Sequence, residues 1–304
     1  MEYTLRQAKY TNPESEIILI GDETNNKFPF VTHVNMKDYF KSADDFAKIY
    51  KHYSTNPYNY ELFCFQRWFV LKEFLENKKY EIIMVSDSDV MHYSNIANIY
   101  NTFYTKYDFC ALYPFSMNIV NIAICYLKTS RIHEFTTFIT LSFYDNNFHD
   151  RMKYKWLQEI KKNKVGAISD MTLITDFIHI NCNNIKLASL NEVIRDSVFD
   201  NNINESSCFY LSEYKFVKGR KFLKWVNGIP YGFNNLENKF IKFNCLHLQG
   251  PAKYLTASFY TGTNFKKKIN FDVKFLILNT MAYLYKMLKI RYTLASLINF
   301  LNKK

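Results

Sequence analysis

Residues 80–91, YEIIMVSDSDVM, decide the fold class of this chain. Residues 82–85 are an unbroken apolar run that is too short for a buried helix, so they predict a central β-strand covered on both faces. Asp87 and Asp89 follow at the carboxyl end of this strand. Ligands of open α/β sheets bind at that end, because the loops there form a crevice. The stretch therefore predicts an α/β fold with a site at these carboxylates.

The two carboxylates themselves indicate a metal. Side chains such as Asp87 and Asp89, one residue apart at the mouth of an apolar strand, repel each other and resist desolvation. A Mg²⁺ or Mn²⁺ ion would offset this cost, since both ions prefer carboxylate oxygens and keep open positions for a diphosphate. The tripeptide Asp87-Ser88-Asp89 is also compatible with a strand that simply ends in a polar, solvated turn, which is the commoner explanation of a bare Asp-x-Asp.

The pattern of apolar residues predicts strands and helices that alternate along the chain, which is typical of a doubly wound α/β fold. The predicted helices are 4–10, 43–53, 60–76, 96–104, 130–142, 151–162 and 171–180. The predicted strands are 17–20, 31–36, 82–85, 109–113 and 119–127. Ser169 and Asp170 form a plausible cap for the last helix. Residues 181–246 are polar and rich in turn-forming residues, so no element is predicted there.

Composition predicts one main domain in a reducing compartment. The 304 residues are 48% hydrophobic and 22% charged, and no Pro-rich or Gly/Ser-rich segment suggests a linker. The six cysteines are scattered without a Cys-x-x-Cys pair, which fits reduced, buried thiols. No signal-peptide core and no run of about 18 apolar residues is found, so we expect a cytoplasmic protein.

The positive charge is concentrated at the end of the chain. Of the net charge of +11, residues 264–304 contribute nine Lys or Arg against one Asp, or +8. Apolar residues recur there at helical spacing, at Ile277, Met281, Leu284 and Leu288. We therefore expect a catalytic domain of residues 1–262 and a basic amphipathic helical segment of residues 263–304. That segment would lie on an anionic membrane surface or pack against the protein's own domain. No nucleic-acid motif is recognisable, so nucleic acid is not an expected partner.

A second informative stretch is LHLQGPAK at residues 246–253, which spaces His247, Gly250 and Lys253 three apart. A histidine can complete a metal site, a glycine allows the backbone to approach a phosphate, and a lysine neutralises diphosphate charge. Taken singly, each residue also has an ordinary explanation, as a satisfied histidine, a capped turn and a solvated lysine.

Together the two motifs resemble glycosyltransferases of the GT-A fold, and most of all the retaining group that includes glycogenin and bacterial lipo-oligosaccharide galactosyltransferases. That group has a strand ending in Asp-x-Asp and a His-x-x-Gly-x-x-Lys motif near the end of the catalytic domain. The resemblance implies that Asp87, Asp89 and His247 hold Mn²⁺ or Mg²⁺. It also implies that Gly250 and Lys253 contact the diphosphate of a nucleotide-sugar donor.

The same resemblance assigns three further residues. Arg67, in CFQRWFVLKEFL, stands where the family has an arginine that faces the nucleotide sugar, although an arginine among aromatic residues is more often a surface residue. Asn121 is similar in setting to a family asparagine near the donor sugar, and Asp170 in SDMT to a carboxylate that touches the sugar or the acceptor. Asp170 and Asn121 are thus the catalytic candidates, and the donor-binding candidates are Arg67, Asp87, Gly250 and Lys253.

The resemblance covers about residues 1–260 and departs from the family pattern in two places. The chain starts at what resembles the second element of the family, so we expect the strand that cups the nucleotide base to be missing. Tyr254 and Leu255 follow the lysine where Pro-Trp is common. We expect a metal-dependent hexosyltransferase that acts with retention on a glycan or glycolipid acceptor, and we expect Asp89 and His247 to lie outside the core.

Two other functions are compatible with parts of the sequence. A phosphohydrolase of the haloacid dehalogenase type also has a strand ending in Asp-x-Asp, whose first carboxylate is the nucleophile. That pattern calls for Thr or Val where Met91 stands, and it leaves the second motif without a role. The basic tail alone would suit a non-catalytic module that binds a membrane or nucleic acid.

Overall fold

The computed structural model describes residues 1–114, 119–163, 166–209 and 211–263. The predicted basic helical segment therefore lies, from residue 264 onward, outside the described residues. Among the described residues the α-helices are α1 (Glu2–Thr11), α2 (Lys41–Ile49), α3 (Tyr58–Glu76), α4 (Ile96–Phe103), α5 (Thr129–Tyr144), α6 (Asn146–Asn163), α7 (Asp170–Ile180) and α8 (Thr256–Phe259).

Within the part of the chain that the structure describes, the strands form two large and two small sheets. They are β1 (Ile18–Gly21), β2 (Thr32–Asn35), β3 (Ile82–Ser86), β4 (Val90–His92), β5 (Phe109–Leu112), β6 (Asn121–Lys128), β7 (Leu187–Ser189), β8 (Ser197–Phe199), β9 (Phe216–Val217), β10 (Arg220–Lys221), β11 (Leu223–Val226), β12 (Ile229–Asn234) and β13 (Lys239–His247). The predicted α/β class is confirmed. The small sheets are the parallel pair β1 and β2 and the antiparallel pair β9 and β10.

The first large sheet has the order β3-β6-β5-β7. Strand β3 is antiparallel to β6, β6 is antiparallel to β5, and β5 is parallel to β7. The strand that was predicted to be central, β3, lies instead at an edge of this sheet, and its residues are only partly buried. The interior, covered strands are β6, in which six of eight residues are buried, and β5, which is buried throughout. An apolar run shows that a strand is largely shielded from water, but not which strands lie beside it.

The second large sheet is antiparallel, with the order β11-β12-β13-β4, and β8 pairs with β13 in parallel. Its edge strand β4 begins only four residues after β3 ends, so the chain crosses from one large sheet to the other through Asp87, Ser88 and Asp89. In the pairing of β4 with β13, Val90 lies opposite His247. This register brings the two sequence motifs together.

Two apolar clusters cover the two faces of the first large sheet. On one face Cys125 and Leu127 of β6 pack with residues of α2, α3, α5 and α7. On the other face Ile124 and Tyr126 pack with residues of α4, β4, β8 and β13. A doubly wound fold would have helices on both faces, whereas here much of the second face is covered by the second sheet. The predicted helices are found within a few residues of their bounds, apart from α6, which begins at Asn146 rather than 151.

Local signals were confirmed where short-range chemistry decides the conformation. Ser169 and Thr172 form a capping box at the start of α7, which satisfies backbone groups of its first turn. No disulfide joins the cysteines of the described residues, and Cys110, Cys125 and Cys245 are buried. Cys182, however, is exposed, so the prediction of buried thiols is wrong for this residue. Among the described residues no helix has the length and apolar character needed to cross a bilayer.

Candidate metal centre

The candidate site lies where the chain passes between the two large sheets. The amide of Asp87 donates to the carbonyl of Ala123 on β6 (2.8 Å), and the amide of Leu248 donates to the carbonyl of Asp89 (3.0 Å). The first of these backbone hydrogen bonds joins the first motif to β6, and the second joins it to the residue that follows β13. The two carboxylates and His247 therefore sit on backbone that is held from both sheets.

The three predicted metal ligands converge. One ligand atom each from Asp87, Asp89 and His247 lies within 4.8 Å of the other two. Bonds of about 2.1 Å to one octahedral cation would separate its ligands by about 3.0 Å in cis and about 4.2 Å in trans. The distance between His247 Nε2 and Asp89 Oδ1 is 3.5 Å, within that range. Asp89 Oδ1 is buried without a hydrogen-bond partner. The donor set and this orphaned oxygen fit a divalent cation.

The orientation of His247 suits a metal ligand. Its Nδ1 lies 2.7 Å from the carbonyl oxygen of Asn201, which can only accept, so Nδ1 carries the proton and donates. Nε2 is then left to hold a proton or a metal beside Asp89. Burial acts to lower the pKa of His247, but Asp89 raises it above its ordinary value. Only 3% of His247 and 9% of Asp89 are exposed, so the expectation that both lie outside the core is wrong.

Lys253 is a further charged group beside Asp89. Its Nζ lies 3.2 Å from Asp89 Oδ2, while more than half of its side chain is exposed. Burial would raise the pKa of Asp89, but His247 and the Lys253 ammonium lower it to about 2. The carboxylate is thus ionised at neutral pH, and the exposed lysine remains accessible to an anion in the cleft.

Arg67 lies between two carboxylates. Its guanidinium contacts Asp87 Oδ1 at 3.0 Å and Asp170 Oδ2 at 2.7 Å, and only 30% of its side chain is exposed. It is therefore not a surface arginine, which was the alternative interpretation. Burial raises the pKa of Asp87 and the Arg67 charge opposes that shift. The indole Nε1 of Trp68 also donates to Asp170 Oδ2, at 3.0 Å, so this buried carboxylate has a defined orientation.

Asn121 and Gly250 are the remaining predicted site residues, and they are placed differently relative to the candidate metal centre. Asn121 Oδ1 accepts the amide of Ala123, whose carbonyl accepts the amide of Asp87, so Asn121 is linked to the centre through the backbone of β6. Gly250 begins the 3-10 turn Gly250–Leu255 after the second motif. Its φ is +58°, and a Cβ atom there would meet nothing within 4 Å. A left-handed backbone beside open space explains why the position suits glycine.

Behind His247 lies a layer of residues that the sequence did not predict. Asp200, Asn201 and Lys221 are all buried, and the first two hydrogen-bond to His247. One signal could have found Asp200 and Asn201, since FDNN at residues 199–202 is an acidic and amide-rich run directly after an apolar strand. Lys221 has no such signal. Its partner Asp200 is remote along the chain, and no element could be predicted around either residue.

No protein-family model matches this chain, and no curated protein matches its sequence significantly.

Proposed function

We propose that the protein is a metal-dependent glycosyltransferase of the GT-A fold, which transfers a hexose from a nucleotide-diphosphate sugar to a glycan or glycolipid acceptor with retention of configuration. The observation that carries the proposal is that ligand atoms of Asp87, Asp89 and His247 lie within 4.8 Å of one another, with a buried Asp89 oxygen that lacks a hydrogen-bond partner. The retaining outcome rests on the resemblance of the two motifs to the glycogenin group.

The charged side chains around this point have separable roles in the proposal. Asp87, Asp89 and His247 would hold Mn²⁺ or Mg²⁺, which when bound offsets the charge that develops on the leaving diphosphate. Lys253 donates to the same diphosphate from its exposed position beside Asp89. Gly250 leaves room for the phosphates to approach the backbone.

Arg67 and Asp170 extend the site away from the metal ligands. Arg67 stabilises donor charge while it holds Asp87 and Asp170 in fixed positions. Asp170, oriented by Arg67 and Trp68, is the carboxylate proposed to touch the donor sugar or the acceptor. Asn121, next to Asp87 through the backbone, is proposed to lie near the donor sugar.

Two features favour this proposal over a phosphohydrolase. In the phosphohydrolase Asp87 would be the nucleophile, but its Oδ1 is already engaged by Arg67 at 3.0 Å. His247, which lies in the cluster, has no part in that chemistry. Membrane association rests on residues outside the described part of the chain and remains a proposal. Flotation of the intact chain with anionic vesicles tests it.

The proposal is tested by incubating the protein with UDP-glucose, UDP-galactose, UDP-N-acetylglucosamine and GDP-mannose in Mn²⁺, and measuring release of the nucleoside diphosphate. We expect slow hydrolysis of one donor that EDTA abolishes, because water can replace a missing acceptor. Proton NMR of a transfer product then reports whether the configuration is retained. Hydrolysis of p-nitrophenyl phosphate without any donor hydrolysis would favour the phosphohydrolase. Absence of both metal and donor binding would favour the basic binding module.

Replacing Gly250 by Ala is expected to lower donor affinity about tenfold, or about 1.4 kcal/mol, because the new methyl group enters the space assigned to the phosphates. Gly219→Ala is the matched control, since Gly219 also has a positive φ (+75°) with nothing within 4 Å of the added Cβ. Both variants should lose about 1 kcal/mol of stability from left-handed backbone strain. The donor affinity of both variants is measured by titration with the nucleotide sugar that the wild-type protein hydrolyses. Equal donor affinity in both variants would contradict the role of Gly250.

A further inference from the structure

We infer that Asp200 and Lys221 form a buried positioning pair that sets the metal affinity of the centre through His247. The inference rests on the proposed metal site and adds to it two residues that neither sequence motif contains. Neither residue touches the proposed ion. Their effect passes through the backbone and the imidazole of His247.

The pair is enclosed by protein. Lys221 Nζ lies 2.6 Å from Asp200 Oδ1, and the two side chains are 2% and 0% exposed. The ammonium also lies 4.7 Å from the centroid of the Tyr214 ring and 5.4 Å from that of Phe243. The backbone amide of Lys221 donates to the carbonyl of Ile203 (2.9 Å). The ammonium of Lys221 is therefore held at a fixed position beside residues 200–203.

Asp200 uses its two oxygens for different partners. Oδ1 accepts a hydrogen bond from the Lys221 ammonium, and Oδ2 accepts one from the backbone amide of His247 at 3.1 Å. The next residue, Asn201, accepts the imidazole Nδ1–H through its carbonyl oxygen at 2.7 Å. Adjacent residues thus hold both the backbone and the ring of His247. The backbone bond fixes where the residue sits, and the ring bond fixes its tautomer and rotation.

The same segment also holds the loop that follows the histidine. The side-chain amide of Asn202 donates to Gln249 Oε1 at 2.6 Å. The side-chain amide of Asn204 donates to the backbone carbonyl oxygen of Gln249 at 2.8 Å. Residues 200–204 therefore support the second motif from His247 to Gln249. A shift of this segment would move His247 Nε2 relative to Asp89.

Stability alone does not account for the ion pair. Two buried charges are expensive to desolvate, and well-packed apolar residues often serve a fold equally well. A carboxylate held by a lysine does one thing that an apolar pair cannot, since it leaves an oxygen aimed at the amide of His247. The geometry points to positioning of the histidine as the function of the pair.

The test uses the double variant Asp200→Asn/Lys221→Met, which removes both charges together and leaves neither one buried alone. Mn²⁺ affinity is measured by electron paramagnetic resonance titration of free Mn²⁺, without donor. We expect Mn²⁺ binding to weaken about 10- to 100-fold, the size found for residues that orient metal ligands. Circular dichroism checks that the variant is folded.

The control is Asp108→Asn/Lys128→Met, which removes an ion pair of 2.8 Å between the residue that precedes β5 and the last residue of β6. This control should keep the wild-type Mn²⁺ affinity. A folded Asp200→Asn/Lys221→Met variant with wild-type affinity overturns the inference alone. Failure of the wild-type protein to bind Mn²⁺ overturns the proposed function, and this inference with it.

A measurement on the unmodified protein keeps the inference testable should the double variant not fold. Histidine-selective ¹⁵N NMR, with His247 assigned by the variant His247→Gln, reports which ring nitrogen carries the proton. We expect Nδ1 of His247 to stay protonated with and without Mg²⁺, since Asn201 holds that proton. An Nδ1 that loses its proton on Mg²⁺ addition would show that the ring turns, and would overturn the inference.

Discussion

An Asp89→Asn variant is expected to bind Mn²⁺ more than about 100-fold more weakly than the wild-type protein and to lose metal-dependent donor hydrolysis. Even residues that only orient metal ligands contribute about 10- to 100-fold, so loss of a ligand charge should exceed that. Asparagine keeps the shape of the side chain, which matters because Asp89 is buried. It removes the charge that faces Lys253 at 3.2 Å and His247 at 3.5 Å.

The control for this prediction is Asp176→Asn, which removes one carboxylate charge from a partly exposed ion pair with Lys155. Both variants are compared by Mn²⁺ titration and by release of nucleoside diphosphate. The control should behave as the wild-type protein does. An Asp89→Asn variant that keeps full Mn²⁺ affinity would remove Asp89 from the proposed metal site, and with it the main support for the proposed function.

The second large effect is expected on stability. Replacing Arg67 by Met should lower the free energy of unfolding by about 3 kcal/mol, since a buried carboxylate that loses its partner is strongly destabilising. Asp170, with 4% of its side chain exposed, would lose two charge-assisted hydrogen bonds. Asp87 would also lose the guanidinium that opposes the effect of burial on its pKa. Urea unfolding followed by circular dichroism measures the change.

The matched variant is Arg67→Met/Asp170→Asn, in which the orphaned charge is removed as well. Its free energy of unfolding should recover most of the loss, because a neutral amide is cheaper to bury than an unpaired carboxylate. If the single and double variants are equally unstable, lost packing of the arginine stem explains the effect instead. If the single variant is as stable as the wild type, Arg67 does not neutralise this site.

Short-range chemistry made part of this structure predictable from the sequence. The helices could be predicted because apolar residues recur along them at helical spacing, and the start of α7 because Ser169 and Thr172 cap it within one turn. The two motifs indicated metal ligands by residue type and spacing, and the resemblance to one family joined them. Their meeting in the structure has a simple cause, which is the pairing of Val90 with His247.

The tertiary structure alone decided what depends on partners that are remote along the chain. An apolar run shows that a segment is apolar but not which strand lies beside it, so β3 proved to be an edge strand, with β6 and β5 in the interior of the sheet. Arg67 meets Asp170 across 103 positions of sequence. Lys221 and Asp200 form a buried pair whose cost is offset only by the exact surroundings that the fold supplies. Long-range electrostatics and strand order follow from three-dimensional proximity, which no local pattern of residues encodes.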